Sequence, residues 1–203
     1  MASIATKHLK LIVKEYDKGK SAREIALKLN VGIDAVYYFM RNNNIPRRNT
    51  VDRNRVRFER KAPSFKLKKK LSADDELLKS LSVAIYWAEG YKSKKAVCVD
   101  LANSDAAMIR LFMKFLRDVC GIDETRLRIL LYCHDKQLIP ELIAYWSSVT
   151  GISPKLFTKP YIPKRSSSTN HRTMSQGLIH IRYYDKKLLQ RILSWIEEYK
   201  QIA

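Results

Sequence analysis

The chain has 203 residues, 46% of them hydrophobic, and a formal net charge of +19. That apolar share supports a buried core and excludes wholesale disorder, while the charge points to a polyanionic partner whose condensed counterions each docked lysine or arginine would release. No stretch approaches the roughly 18 apolar residues of a membrane span and no secretory leader opens the chain. Cys98, Cys120 and Cys133 lie far apart without a Cys-x-x-Cys pair, which argues against a disulfide framework and a structural zinc site, so a reducing cytoplasmic setting is expected.

Leu9, Ile12, Val13 and Tyr16 repeat at helical spacing until Gly19 stops the run. Ser21 stands at an N-cap position with Glu24 three residues on, the pattern of a capping box. The helix that follows, Ala22 to Leu29, turns Ile25, Ala26 and Leu29 inward. Asn30-Val31-Gly32 predicts a tight turn with Gly32 free to take positive φ. A third helix from Ile33 to Asn42 buries Val36 and either Phe39 or Met40. The run Gly19-Lys20-Ser21-Ala22-Arg23-Glu24-Ile25-Ala26-Leu27-Lys28-Leu29-Asn30-Val31-Gly32 resembles the helix-turn-helix of site-specific recombinases and bacterial regulators. The resemblance implies that the third helix enters the major groove of duplex DNA, with Asp34, Ala35, Tyr37, Tyr38 and Arg41 on its exposed side. Arg41 would fork onto guanine, and the tyrosines would meet phosphate or thymine methyls.

Residues 1–48 thus form a first domain, and residues 49–71 read as a basic linker. Residues 1–70 carry 19 basic against 6 acidic side chains, whereas residues 71–203 carry 20 against 14. The arm holds Arg47, Arg48, Arg53, Arg55, Arg57, Arg60, Lys61, Lys66, Lys68, Lys69 and Lys70, lacks a sustained apolar period, and is punctuated by Pro46 and Pro63. It is expected to lie along the DNA backbone or in the minor groove and to order on binding.

The second domain, 72–203, opens with Ser72 as the cap of a helix that carries Asp74 and Asp75 in its first turn. Leu77, Leu78, Leu81, Ala84, Ile85 and Ala88 follow along it, and it ends at Glu89-Gly90. Ala84 and Ala88, four apart on one face, let a second helix approach closely. A carboxylate at the negative end of a helix is disfavoured without a nearby cation, which marks Glu89 for function.

The run Ser82-Val83-Ala84-Ile85-Tyr86-Trp87-Ala88-Glu89-Gly90 resembles the signature of LAGLIDADG homing endonucleases. Ala84 takes the place of the signature glycine, Ala88 its alanine, Glu89 its final acid and Gly90 its last glycine. Ser82 replaces the leucine, and Trp87 the earlier acid. A hairpin turning at Ser93-Lys94-Lys95 leads to a strand Ala96–Leu101. Then come a helix capped by Asn103 or Ser104 and ended by Gly121, and a strand Leu127–Cys133. This αββαβ order is that of a LAGLIDADG half-domain over residues 73 to 135. The expected class is α+β: a helix-turn-helix, a basic linker, and one or two such half-domains with a saddle-shaped antiparallel sheet. The resemblance implies that paired signature helices bring one acid each to the scissile phosphates, with Mg2+ held by Glu89 and the Gly90 carbonyl.

DNA-contact candidates on the second domain are Lys92, Lys94 and Lys95 of the hairpin, Lys155 and Lys159 on a strand around Phe157, and His180 and Arg182 on the strand Leu178–Tyr183. On that last strand Ile179, Ile181 and Tyr183 face the other way. The polar stretch Pro163–Ser175, with Lys164, Arg165, His171 and Arg172, is a DNA-contacting loop or an inert tip. A closing helix capped by Asp185 turns Leu188, Leu189, Ile192, Trp195, Ile196 and Tyr199 inward.

Ala144-Tyr145-Trp146-Ser147-Ser148 echoes Ile85–Glu89, with Ser148 where an acid is needed. Two arrangements follow: a monomer with a degenerate second half, or a homodimer that supplies Glu89 twice. The expected activity is sequence-specific binding of double-stranded DNA with magnesium-dependent cleavage; the alternatives are sequence-specific binding without cleavage in a transcription regulator, and maturase-like binding of structured RNA.

Overall fold

The computed structural model describes residues 8–163 and 174–202. Lys164, Arg165, His171 and Arg172 therefore lie outside the described residues. The chain divides into two compact units, Met1–Ala62 and Pro63–Ala203, in a mixed α+β fold. Among the described residues no helix is long and apolar enough to cross a membrane.

The first unit is helical: α1 (Leu9–Asp17), α2 (Ala22–Leu29), α3 (Ile33–Asn42) and α4 (Thr50–Arg60). The capping box forms as its spacing predicts. The Ser21 hydroxyl accepts from the Glu24 amide at 3.2 Å, and the Glu24 carboxylate accepts from the Ser21 amide at 2.8 Å. The turn after α2 differs from the expected one. Asn30, not Gly32, takes the left-handed conformation at φ 52°, and Gly32 is the extended N-cap of α3 at φ −68°. An asparagine tolerates that region better than most side chains. Ile12, Ile25, Ala26, Val36, Phe39 and Met40 form the core, so α3 buries both of its candidate residues.

The basic arm is not an unstructured linker over most of its length. Asn49 caps α4 by accepting from the Asp52 amide at 2.8 Å. Gly19, at φ 89°, lets the chain pass close to Val56: a Cβ at Gly19 would stand 2.7 Å from the Val56 side chain. Arg60 donates to the Gly19 carbonyl and to both carboxylate oxygens of Glu24, at 2.7–3.0 Å. Tertiary pairing replaces the apolar period that the sequence lacks here. Residues 64–68 belong to the second unit. Ser64 donates to Asp185, and the Lys66 and Lys68 amides donate to the carbonyls of Cys120, Gly121 and Val119.

The second unit runs α5 (Ala73–Glu89), β1 (Val99–Asn103), α6 (Ala106–Asp118), β2 (Leu127–Tyr132), α7 (Ile139–Thr150), β3 (Leu178–Tyr183) and α8 (Lys186–Lys200). Its three strands make one antiparallel sheet in the order β1-β3-β2. The predicted hairpin shrinks to a single bridge, Gly90 with Leu101, and its strand lies at Val99–Asn103. The cap of α6 is Asp105, whose carboxylate accepts from Ala107 and Met108. No strand forms at 155–159. Lys155 sits in a 3-10 turn, Pro154–Leu156, and only isolated bridges, Phe157 to Ile129 and Tyr161 to Tyr132, line the β2 edge.

Sheet alternation places the core. Val99, Leu101, Leu127, Ile129, Leu131, Ile179, Ile181 and Tyr183 point inward, where they meet Phe112, Phe115, Leu116, Ile192 and Trp195 from the helices. Because β3 lies between β1 and β2, residues 73–202 share one sheet and there is no second half with a sheet of its own among the described residues. Trp146 is fully buried on α7 and donates to the Gln176 carbonyl at 2.7 Å, whereas Trp87 is exposed. The echo between the two Tyr-Trp pairs is not structural. α8 matches its expected cap and its inward face.

Candidate nucleic-acid interface

On the second unit the strand period puts one set of side chains on the face away from the core. β1 contributes Asp100 and Ala102, β3 contributes Leu178, His180 and Arg182, and β2 contributes Arg128, Leu130 and Tyr132. The register sets Arg128 directly opposite Arg182, and Asp100 opposite Arg182 on the other side. Like charges directly opposed on one sheet face are destabilising unless an anion joins them. Among the described residues no carboxylate joins this pair; Asp100 meets Arg182 from the β1 side instead. Its carboxylate accepts from Arg182 Nε at 2.8 Å and meets His180 Nδ1 at 2.8 Å. Burial pushes its carboxyl up, but the hydrogen bond and charge of His180 and the charge of Arg182 outweigh that and hold it below the ordinary range. Arg128 is exposed and, among the described residues, donates to the backbone carbonyls of Thr125 and Leu127. The His180 ring stacks on Tyr132 with centroids 4.8 Å apart, and Tyr161 tilts against Tyr132 at the same separation. The face is thus cationic with an aromatic patch, a mixture suited to phosphates and base faces.

His180 and Arg182 lie on the side that the sequence assigns them. Sequence reasoning did not pick out Asp100, Arg128, Tyr132 or Tyr161. The alternation Leu127-Arg128-Ile129-Leu130-Leu131-Tyr132 carried the signal for Arg128 and Tyr132, since both sit at outward positions. Lys94, Lys95, Lys155 and Lys159 are exposed, but they are dispersed over a turn and loops instead of joining the strand face.

On the first unit, α3 exposes Asp34, Tyr38 and Arg41 and half-buries Ala35 and Tyr37. The Arg41 guanidinium lies 5.8 Å from the Tyr38 ring, and that of Arg47 lies 4.0 Å from the Tyr37 ring. Arg48 is committed to the fold: it stacks on Tyr16 at 3.8 Å and donates to the carbonyls of Tyr16 and Lys20. Along α4, Arg53 and Arg57 are exposed one turn apart, while Arg55 pairs with Asp52 at 3.1 Å.

Glu89 ends α5 exposed to solvent. Beside it, Lys92 Nζ donates to the Gly90 carbonyl at 2.7 Å and approaches the Tyr86 carbonyl at 3.5 Å. The ammonium neutralises the negative helix end, where a capping cation belongs. No cluster of three His, Cys, Asp or Glu side chains able to hold a metal occurs among the described residues. Magnesium takes octahedral oxygen ligands. One carboxylate beside a carbonyl engaged by a lysine does not fit that ion within one chain. The three cysteines are unpaired, Cys120 and Cys133 buried and Cys98 half-buried.

Compared with known proteins, the chain matches no family model, no curated protein and no solved structure.

Proposed function

We propose that the protein is a sequence-specific binder of double-stranded DNA that works as a homodimer of LAGLIDADG type without cleaving its site. The observation that carries this reading is the outward sheet face, where Arg128 and Arg182 stand opposed across β2 and β3, and the one buried acid, Asp100 on β1, partners Arg182 and His180 from the other side. A phosphate backbone supplies the missing anions. The first unit supports the same partner. The succession of α1, α2 and α3 supports a helix-turn-helix reading, in which the exposed Tyr38 and Arg41 of α3 would face the major groove and the exposed Arg53 and Arg57 of α4 would meet phosphates.

The LAGLIDADG reading rests on α5 and on strand order. The signature helix leads through the Gly90 bridge into a sheet ordered β1-β3-β2, closed by α8. A stripe on α5, Leu77, Leu81, Ala84 and Ala88, lies exposed, with Leu77 at 60% and Leu81 at 46%. Residues spaced four, three and four apart share one helix face, and its small residues suit a second copy of the same helix. Lys92 at the Gly90 carbonyl favours binding over hydrolysis. The cleaving alternative would need Glu89 from both copies to hold the metal, and no step is derived through it.

The test is a library of duplexes incubated with wild-type chain and with Glu89→Gln, each with and without magnesium. Both proteins should retain the same selected duplexes, uncut in every condition. Wild-type-only cutting that needs magnesium would restore the nuclease. Preferential retention of structured RNA competitor would instead favour the maturase-like role.

A further inference from the structure

We infer that Arg182 is a guanine-reading residue of the sheet face and that Asp100 is the positioning residue that presents it. The inference rests on the duplex-binding reading above and adds to it a base, a side chain and a support.

An arginine reads guanine when both terminal nitrogens approach O6 and N7 end-on, and a mobile side chain loses entropy in doing so. Arg182 is already held. Its Nε donates to Asp100 Oδ2 at 2.8 Å, and neither terminal nitrogen has a hydrogen-bond partner among the described residues. An acid that took the terminal nitrogens would mask the fork, whereas one that takes Nε leaves it open and fixes its direction. Asp100 cannot itself present an anion to DNA, because it is 8% exposed beneath the two side chains that it joins. Its own placement is determined on three sides. The strand pairing sets it opposite Arg182, its other oxygen meets His180 Nδ1, and its amide donates to the Tyr86 hydroxyl at 3.3 Å. Tyr132 in turn stacks on His180, so the contacts that support Arg182 run from one edge of the sheet to the other. Arg128 differs: its side chain folds onto the backbone of Thr125 and Leu127, as a phosphate contact would permit.

The full-length chain, selected against duplexes with randomised sequence, tests the assignment. Wild type should show a preference for guanine at one position of each half-site, roughly tenfold or more over other bases. Arg182→Ala should abolish that preference and leave the other positions unchanged. Arg182→Lys, cationic but without a fork, should fail to restore it. Asp100→Asn should relax the same position while the thermal midpoint shows that the chain stays folded. If Asp100→Asn does not fold, the contrast between Arg182→Ala and Arg182→Lys decides alone. A consensus unaltered in Arg182→Ala, or affinity lost equally for all sequences, would make Arg182 a phosphate contact or a structural ion pair and overturn the inference. Wild-type chain that retains no duplex at all would remove the DNA reading itself, and this one with it.

Discussion

Ser82 lies fully buried on α5, and its hydroxyl oxygen has no hydrogen-bond partner among the described residues. A hydroxyl kept from water without a partner costs about 1–3 kcal/mol, partly offset where a small void remains on its removal. Ser82→Ala should therefore stabilise the chain by roughly 1 kcal/mol, read as a higher urea midpoint at unchanged slope. A lower midpoint would mean that the hydroxyl has a partner in solution. Arg48 shows the opposite economy. It counts as one more positive charge in the basic run, yet it is spent on Tyr16 and Lys20 within the first unit. Charge tells how many cations a segment offers, not which of them are free.

At the scale of the element, carboxylates fasten the helices of the first unit. Glu15 of α1 pairs with Lys20 and with Lys28 of α2, and Glu24 of α2 pairs with Arg60 of α4. The hydrogen bond from Lys20, then that from Lys28, lowers the Glu15 carboxyl to about 2. Arg60, followed by Ser21, lowers that of Glu24 to about 2. A group depressed in the folded state stabilises it above its unfolded value, and the contribution is lost as pH falls through the folded value. Wild type should therefore melt higher than Glu24→Gln at neutral pH, and the gap should close between about pH 4.5 and 2. A gap that persists at pH 2 would show that Glu24 acts through packing and not through its charge.

At the scale of the whole molecule, the apolar stripe of α5 is the feature that one copy leaves unresolved. Leu77 and Leu81 remain in water while Leu78, Val83 and Tyr86 of the same helix fill the core. If the stripe joins two copies, light scattering at micromolar concentration should report a dimer, and Leu81→Arg should give a folded monomer. The same substitution should weaken binding to a two-half-site duplex at least tenfold while sparing a single half-site, because linkage of the two contacts is lost. A wild-type monomer across that range would remove the two-fold arrangement.

The legible part of the fold was local. Ser21 with Glu24, Ser72 at the head of α5, Asp185 at the head of α8, and the alternation of Leu178–Tyr183 each act over a few residues of chain, so spacing alone determined them. The tertiary structure decided what depends on distant partners. Arg60 reaches Glu24 across 36 positions and makes a helix of a segment without an apolar period. Arg182 reaches Asp100 across 82, which gives the candidate site its acid. Which apolar stripe of α5 turns inward was also beyond the pattern. Leu77 and Leu78 carry the same side chain, and only the position of β1, α6 and α8 around the helix chooses between them.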